Sequence, residues 1–76
     1  MKDTILEICQ DLLPRIDFEN ETALIDDGIL DSMSIIAIAS ELSLEFDVEF
    51  DVDELQPENM NSIDAMVATV KMLQGE

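Results

Sequence analysis

The sequence predicts an all-α fold: a four-helix bundle of three longer helices and one short one, with a long loop between the first two. Three observations carry that prediction. Apolar residues recur at intervals of three and four in three separate segments. Hydrophobic residues make up 47% of the chain, with only two Gly and two Pro, so it can bury a core and is not a disordered acidic tail. The one segment that alternates apolar and acidic residues has no second strand with which to pair. A chain of 76 residues has room for one core, so a single domain spanning residues 1–76 is expected.

In KDTILEICQDLL, the residues Ile5, Ile8, Cys9, Leu12 and Leu13 form an apolar stripe, with Glu7, Gln10 and Asp11 turned away. Asp3 or Thr4 is expected to cap this helix. Pro14 makes Leu13 its last residue, because the residue before proline is biased out of helical geometry. Arg15 to Leu30 has no period. A loop of that length in a small domain is expected to pack, here through Ile16, Phe18, Leu24 and Ile25, and such loops often accompany function.

The second helix is expected from Ser32 to Phe46, its inner stripe being Ile35, Ile38, Ala39, Leu42 and Phe46. Met33, Ile36 and Ala37 fall outside that stripe. Either they face solvent or a partner, or the bundle buries this helix on more than one side; periodicity does not choose. In FDVEFDVDELQPENM, the apolar residues Phe46, Val48, Phe50 and Val52 alternate with acids. This segment reads as an extended connector plugging the bundle, followed by a short helical turn at Pro57 to Met60 with Pro57 at its first position. Asn61 or Ser62 caps the last helix, whose stripe is Ile63, Met66, Val67, Val70 and Leu73. Lys71 complements its C-terminal dipole and Gly75 ends it.

Composition excludes several functions. Nineteen Asp and Glu against three Lys and Arg give a formal charge of −16, which repels nucleic acid and anionic lipid and suits basic partners. The chain has no His, Trp or Tyr, so the usual general bases and aromatic platforms are missing and an enzyme is not expected. Cys9, with no cation near it in sequence, reads as a small core residue rather than a reactive thiol. With no charged leader and no apolar run of membrane-spanning length, membrane insertion is not expected and the expected compartment is the cytoplasm.

Two motifs invite chemistry. Asp47, Glu49, Asp51, Asp53 and Glu58 have the spacing of a calcium loop, but such a loop needs glycine at its sixth position, which here is Val52. No metal ligand set is expected. The other motif is DDGILDSMS, where Ser32 follows Asp31 at the start of the second helix. Its hydroxyl has no His or Lys to activate it as a nucleophile, yet a phosphodiester added to it would meet unpaired backbone amides and the favourable end of the helix dipole. Asp26, Asp27 and Asp31 oppose that charge. On the residues alone, a plain capping serine leads.

The sequence resembles the carrier protein family, the acyl, peptidyl and D-alanyl carriers, over nearly its whole length. LDSMS, with Asp31, Ser32 and Met33, matches the Asp-Ser-Leu motif that opens the family's second helix. LIDDGILDS, ELSLEFDVEF with Phe46 in the aromatic position, and ENMNSIDAM match in register. The resemblance implies that Ser32 carries a 4′-phosphopantetheine arm derived from coenzyme A, with an acyl or aminoacyl group held on it as a thioester. It also implies partner contacts at Met33, Ile36 and Ser40, with Asp31, Glu41 and Glu58 meeting basic patches on a phosphopantetheinyl transferase, a loading enzyme and downstream acyltransferases or synthases. Gly28-Ile29-Leu30-Asp31-Ser32 is closer to the Gly-Leu-Leu-Asp-Ser style of D-alanyl and other discrete aminoacyl carriers than to the Leu-Gly-X-Asp-Ser of many fatty acid carriers. Ser34, Ala37 and Ser40 stand where those carriers tend to have charges. The expected state is a monomer. The rival reading is an acidic helical interaction domain that is never modified.

Overall fold

The computed structural model describes residues 1–75, with helices α1 (Lys2–Leu12), α2 (Ser32–Phe46), α3 (Pro57–Met60) and α4 (Ile63–Leu73) in chain order. α1 buries Ile5 and Cys9 completely, with Leu6, Ile8 and Leu13 packed against the same core. It ends one residue before the expected position, Leu13 having the non-helical φ −136° and ψ 73° that a following proline favours. Two expectations are corrected here. Met1 rather than Asp3 or Thr4 occupies the cap position, with no side-chain bond, and Asp3 lies in the first turn, where its charge suits the dipole. Leu12 is 38% exposed, because Leu13 takes the core-facing place at the end of the helix.

The long loop packs as its apolar residues imply. Phe18 and Leu24 are fully buried, Leu30 nearly so, and Ile16, Ile25 and Ile29 lean against them. Gly28 has φ +72°, a left-handed conformation that costs glycine little. It lets the chain double back, so that both Ile29 and Leu30 donate to the Leu24 carbonyl at 2.9 Å.

α2 turns Ile38, Ala39 and Leu42 into the core and half-buries Ile35 and Phe46. It closes at Asp47, whose left-handed backbone (φ 53°, ψ 50°) returns its N–H to the Ser43 carbonyl. Phe50 packs against the core as expected, but Val48 is only half-buried and not part of that packing, and Val52 is 76% exposed. The alternation breaks there because Val52–Leu55 winds into a 3-10 turn, which the sequence pattern did not indicate, and Glu54 accepts from the Asp51 N–H at 2.8 Å.

Pro57 opens α3 and Met60 inserts into the core with no exposure. Of the two candidate caps for α4, Ser62 serves: its hydroxyl accepts from the Ala65 N–H at 3.0 Å. Ile63, Met66 and Val70 are buried, and Gly75 (φ +85°) follows the helix end. Thr69, polar yet buried, is satisfied by donating to the Ala65 carbonyl at 2.9 Å, with the Asn59 carbonyl also within reach at 3.2 Å, which joins α4 to α3. Cys9 lies 3.8 Å from the Met66 sulfur, and burial pushes its thiol up to about 12, so it is a core residue and not a nucleophile. Lys2 and Asp64 pair at 2.9 Å across the starts of α1 and α4; both are exposed, so this pair adds little stability. Among the described residues, no helix is long and apolar enough to cross a membrane.

Candidate functional site

The start of α2 is where loop, charge and exposed apolar surface meet. Asp31 takes the cap position in extended backbone (φ −91°, ψ 177°), and its Oδ1 accepts from the Ser34 N–H at 2.8 Å. The capping role that local pattern assigned to Ser32 is therefore corrected. Ser32 is the first helical residue, exposed, with the cap bond made by its neighbour. A carboxylate accepts from the helix N-terminus more strongly than a hydroxyl, so when Asp precedes Ser the Asp wins the position. The Ser32 hydroxyl is left over, beside backbone N–H groups of the first turn that have no intrahelical partner.

The Ser34 N–H, and after it the Ser34 hydroxyl, hold the Asp31 carboxyl below the ordinary aspartate value. The folded-state value is depressed relative to the unfolded chain. The cap's contribution is thus complete above the ordinary carboxylate range and is lost as pH falls through the lowered value. An NMR titration following the Asp31 side chain and the Ser34 amide should give one shared midpoint below 3.8. A midpoint at or above that value would mean that Asp31 does not cap α2.

Met33 is 80% exposed and Ile36 55%, and Ala37 is exposed as well, which decides the alternative that periodicity left open: these residues face outward. Ser40 and Glu41 are also exposed. Leu44, passed over in the sequence reading, is 80% exposed and lies three helical turns beyond Met33, on the same line as Met33, Ala37 and Ser40. The signal was available, since Leu44 falls off the inner stripe. The outer face of α2 is therefore a largely apolar ridge interrupted by Ser40, with Asp31 at one end and Glu41 on its flank. Glu58 is exposed and belongs to α3, not to α2.

No basic, cationic side chain lies within α2. Of the three cations, Lys2 is paired with Asp64, Lys71 sits in the last turn of α4, and Arg15 is in the loop. The arrangement offers an acceptor hydroxyl rather than an activated nucleophile.

The family model for the phosphopantetheine attachment site matches residues 3–70. The chain belongs to that family, the carrier proteins. No curated protein matches it. A carrier protein of this family bears 4′-phosphopantetheine covalently, and such domains act as carriers rather than catalysts, dealing with phosphopantetheinyl transferases and with partner synthases or acyltransferases. The start of α2 fits such a group. It provides an exposed hydroxyl, first-turn amides to face a phosphodiester, and open surface for an arm to lie along.

Proposed function

We propose that Ser32 is the residue that takes the arm, and that this carrier protein shuttles an acyl or aminoacyl group between biosynthetic enzymes of the fatty acid, polyketide, nonribosomal peptide or D-alanyl transfer type. When bound, the arm supplies a terminal thiol that holds the cargo as a thioester. The observation that carries the reading is the position of Ser32, exposed at the first residue of α2 with its hydroxyl released from capping by Asp31.

The other serines are occupied or misplaced. Ser43 donates to the Ala39 carbonyl at 2.8 Å, Ser62 caps α4, Ser34 sits against Asp31, and Ser40 stands mid-helix, away from any helix end. In the modification, Ser32 Oγ forms a bond to the phosphorus that bears the pantetheine in coenzyme A. The pyrophosphate bond breaks, adenosine 3′,5′-bisphosphate leaves, and the hydroxyl proton passes to a base that the transferase must supply.

Docking falls to Met33, Ile36 and Leu44 as apolar contact, with the exposed Ser40 among them, and to Asp31, Glu41 and Glu58 steering toward basic surfaces. The net charge of −16 favours fast, salt-sensitive encounter and ready release, which a shuttle needs. The carrier performs no chemistry of its own and works in the cytoplasm.

Intact mass, measured before and after incubation with coenzyme A and a broad-specificity phosphopantetheinyl transferase, tests this. Wild type should gain one arm and Ser32→Ala none, while the variant should lose at most about 1 kcal/mol of stability because Asp31 still caps the helix. An arm on Ser34, Ser40, Ser43 or Ser62 in the Ala variant would refute the assignment. No gain in wild type would favour the unmodified acidic interaction domain.

A further inference from the structure

Asn61, between α3 and α4, grips the loop that leads to Ser32. Its carbonyl accepts from the Leu24 N–H at 2.9 Å, its side-chain Oδ1 from the N–H groups of Ile25 at 2.8 Å and Asp26 at 3.1 Å, and its Nδ2 donates to Asp26 Oδ2 at 2.9 Å. The partners settle the amide's orientation: two N–H donors face one end and a carboxylate faces the other. One residue thus binds three consecutive residues, two of them 35 and 36 positions away in sequence.

From the grip to the site the path is short and closed. The Leu24 carbonyl accepts from both Ile29 and Leu30, and Leu30, 4% exposed, directly precedes Asp31. Ser32 is therefore tied to the α3–α4 junction through Leu24. The segment contains no helix or strand, so these hydrogen bonds add direction to the core packing of Leu24 and Leu30.

We propose that Asn61 is a positioning residue for the modification of Ser32, setting where the start of α2 stands and so presenting the hydroxyl to the transferase. The proposal rests on the assignment of Ser32 above. Because Asn61 lies outside α2, it should leave docking on Met33 and Ile36 alone and act on turnover. Asn61→Ala should lower kcat for arm transfer about tenfold with KM changed less than about twofold, as displacement of a reacting group does. A mere loss of folded protein would do the reverse, raising the apparent KM at constant kcat. Amide exchange at Ile25 and Asp26 should quicken in the same variant, a readout that does not involve the arm.

Exchanging the two side chains tests the contact itself. Asn61→Asp alone sets two carboxylates against each other and should be as slow as Asn61→Ala. Combined with Asp26→Asn, which restores a donor facing an acceptor, it should return to within about twofold of wild type, a coupling that a double-mutant cycle reads directly. Should Asn61→Ala melt below the assay temperature, this exchange carries the test. Unchanged kcat with faster exchange at Ile25 and Asp26, or no recovery in the double variant, would overturn the positioning role. Wild type taking no arm would overturn the assignment of Ser32, and this role with it, whatever the exchange rates showed.

Discussion

Ile38→Ala should remove about 2 to 5 kcal/mol of stability, the usual cost of truncating a buried isoleucine, while Ile36→Ala, two positions away on the same helix, should stay within about 0.5 kcal/mol of wild type. Ile38 is fully buried in the core; Ile36 is 55% exposed beside Met33. The Ile36 truncation loses little buried surface, and alanine is the better helix former, so the remaining loss is partly offset. Function should divide the other way. If the ridge of α2 is where the transferase and the loading enzyme dock, Ile36→Ala and Met33→Ala raise KM with little change in kcat, the signature of lost uniform binding. Ile38→Ala should impair loading only to the extent that it unfolds. Urea melts paired with arm-transfer kinetics make the comparison. Equal destabilisation by the Ile36 and Ile38 truncations, with loading unchanged in the former, would place Ile36 in the core and remove the interface.

Phe18→Ala should be as damaging as any truncation in the helices, about 3 to 5 kcal/mol, although Phe18 lies in the loop between α1 and α2. Its ring is 1% exposed and belongs to the same cluster as Ile5, Leu24 and Ile63. At about 0.05–0.15 kcal/mol per residue, a domain of this size has roughly 4 to 11 kcal/mol in total, so the variant should lose from about a quarter to all of it. The check is the midpoint of a urea melt at constant slope. A loss under about 1 kcal/mol would mean that the loop is a loose connector. That result would also weaken any argument that the loop fixes the start of α2.

The limits of sequence reading show in particular residues. The span of α2, Ser32 to Phe46, and the placing of Pro57 at the first position of α3 were legible because the signals are local: an apolar period, a polar residue at a helix start, a proline whose missing N–H fits the first turn. Phe18 and Leu24 were legible as packed for a coarser reason, since a long loop in a small domain must bury its apolar residues somewhere. Val52 was misplaced because the acidic alternation was extended one step too far, past the point where the 3-10 turn ends the extended connector. Leu12 was misplaced because a stripe near a helix end does not say which of two adjacent leucines meets the core.

The sequence by itself determined four helices in their order, most of the core stripes, the acidic composition, and a serine at the start of α2 that resembles a carrier's attachment residue. Only the tertiary structure decided that Asp31 caps α2 and leaves the Ser32 hydroxyl over, that Met33, Ile36 and Leu44 face outward, and that Asn61 clasps the loop from across the domain. The reason is physical. A period of 3.6 residues states which side chains share a face but not what lies opposite that face, and a hydrogen bond between residues 36 positions apart leaves no trace in the pattern around either one.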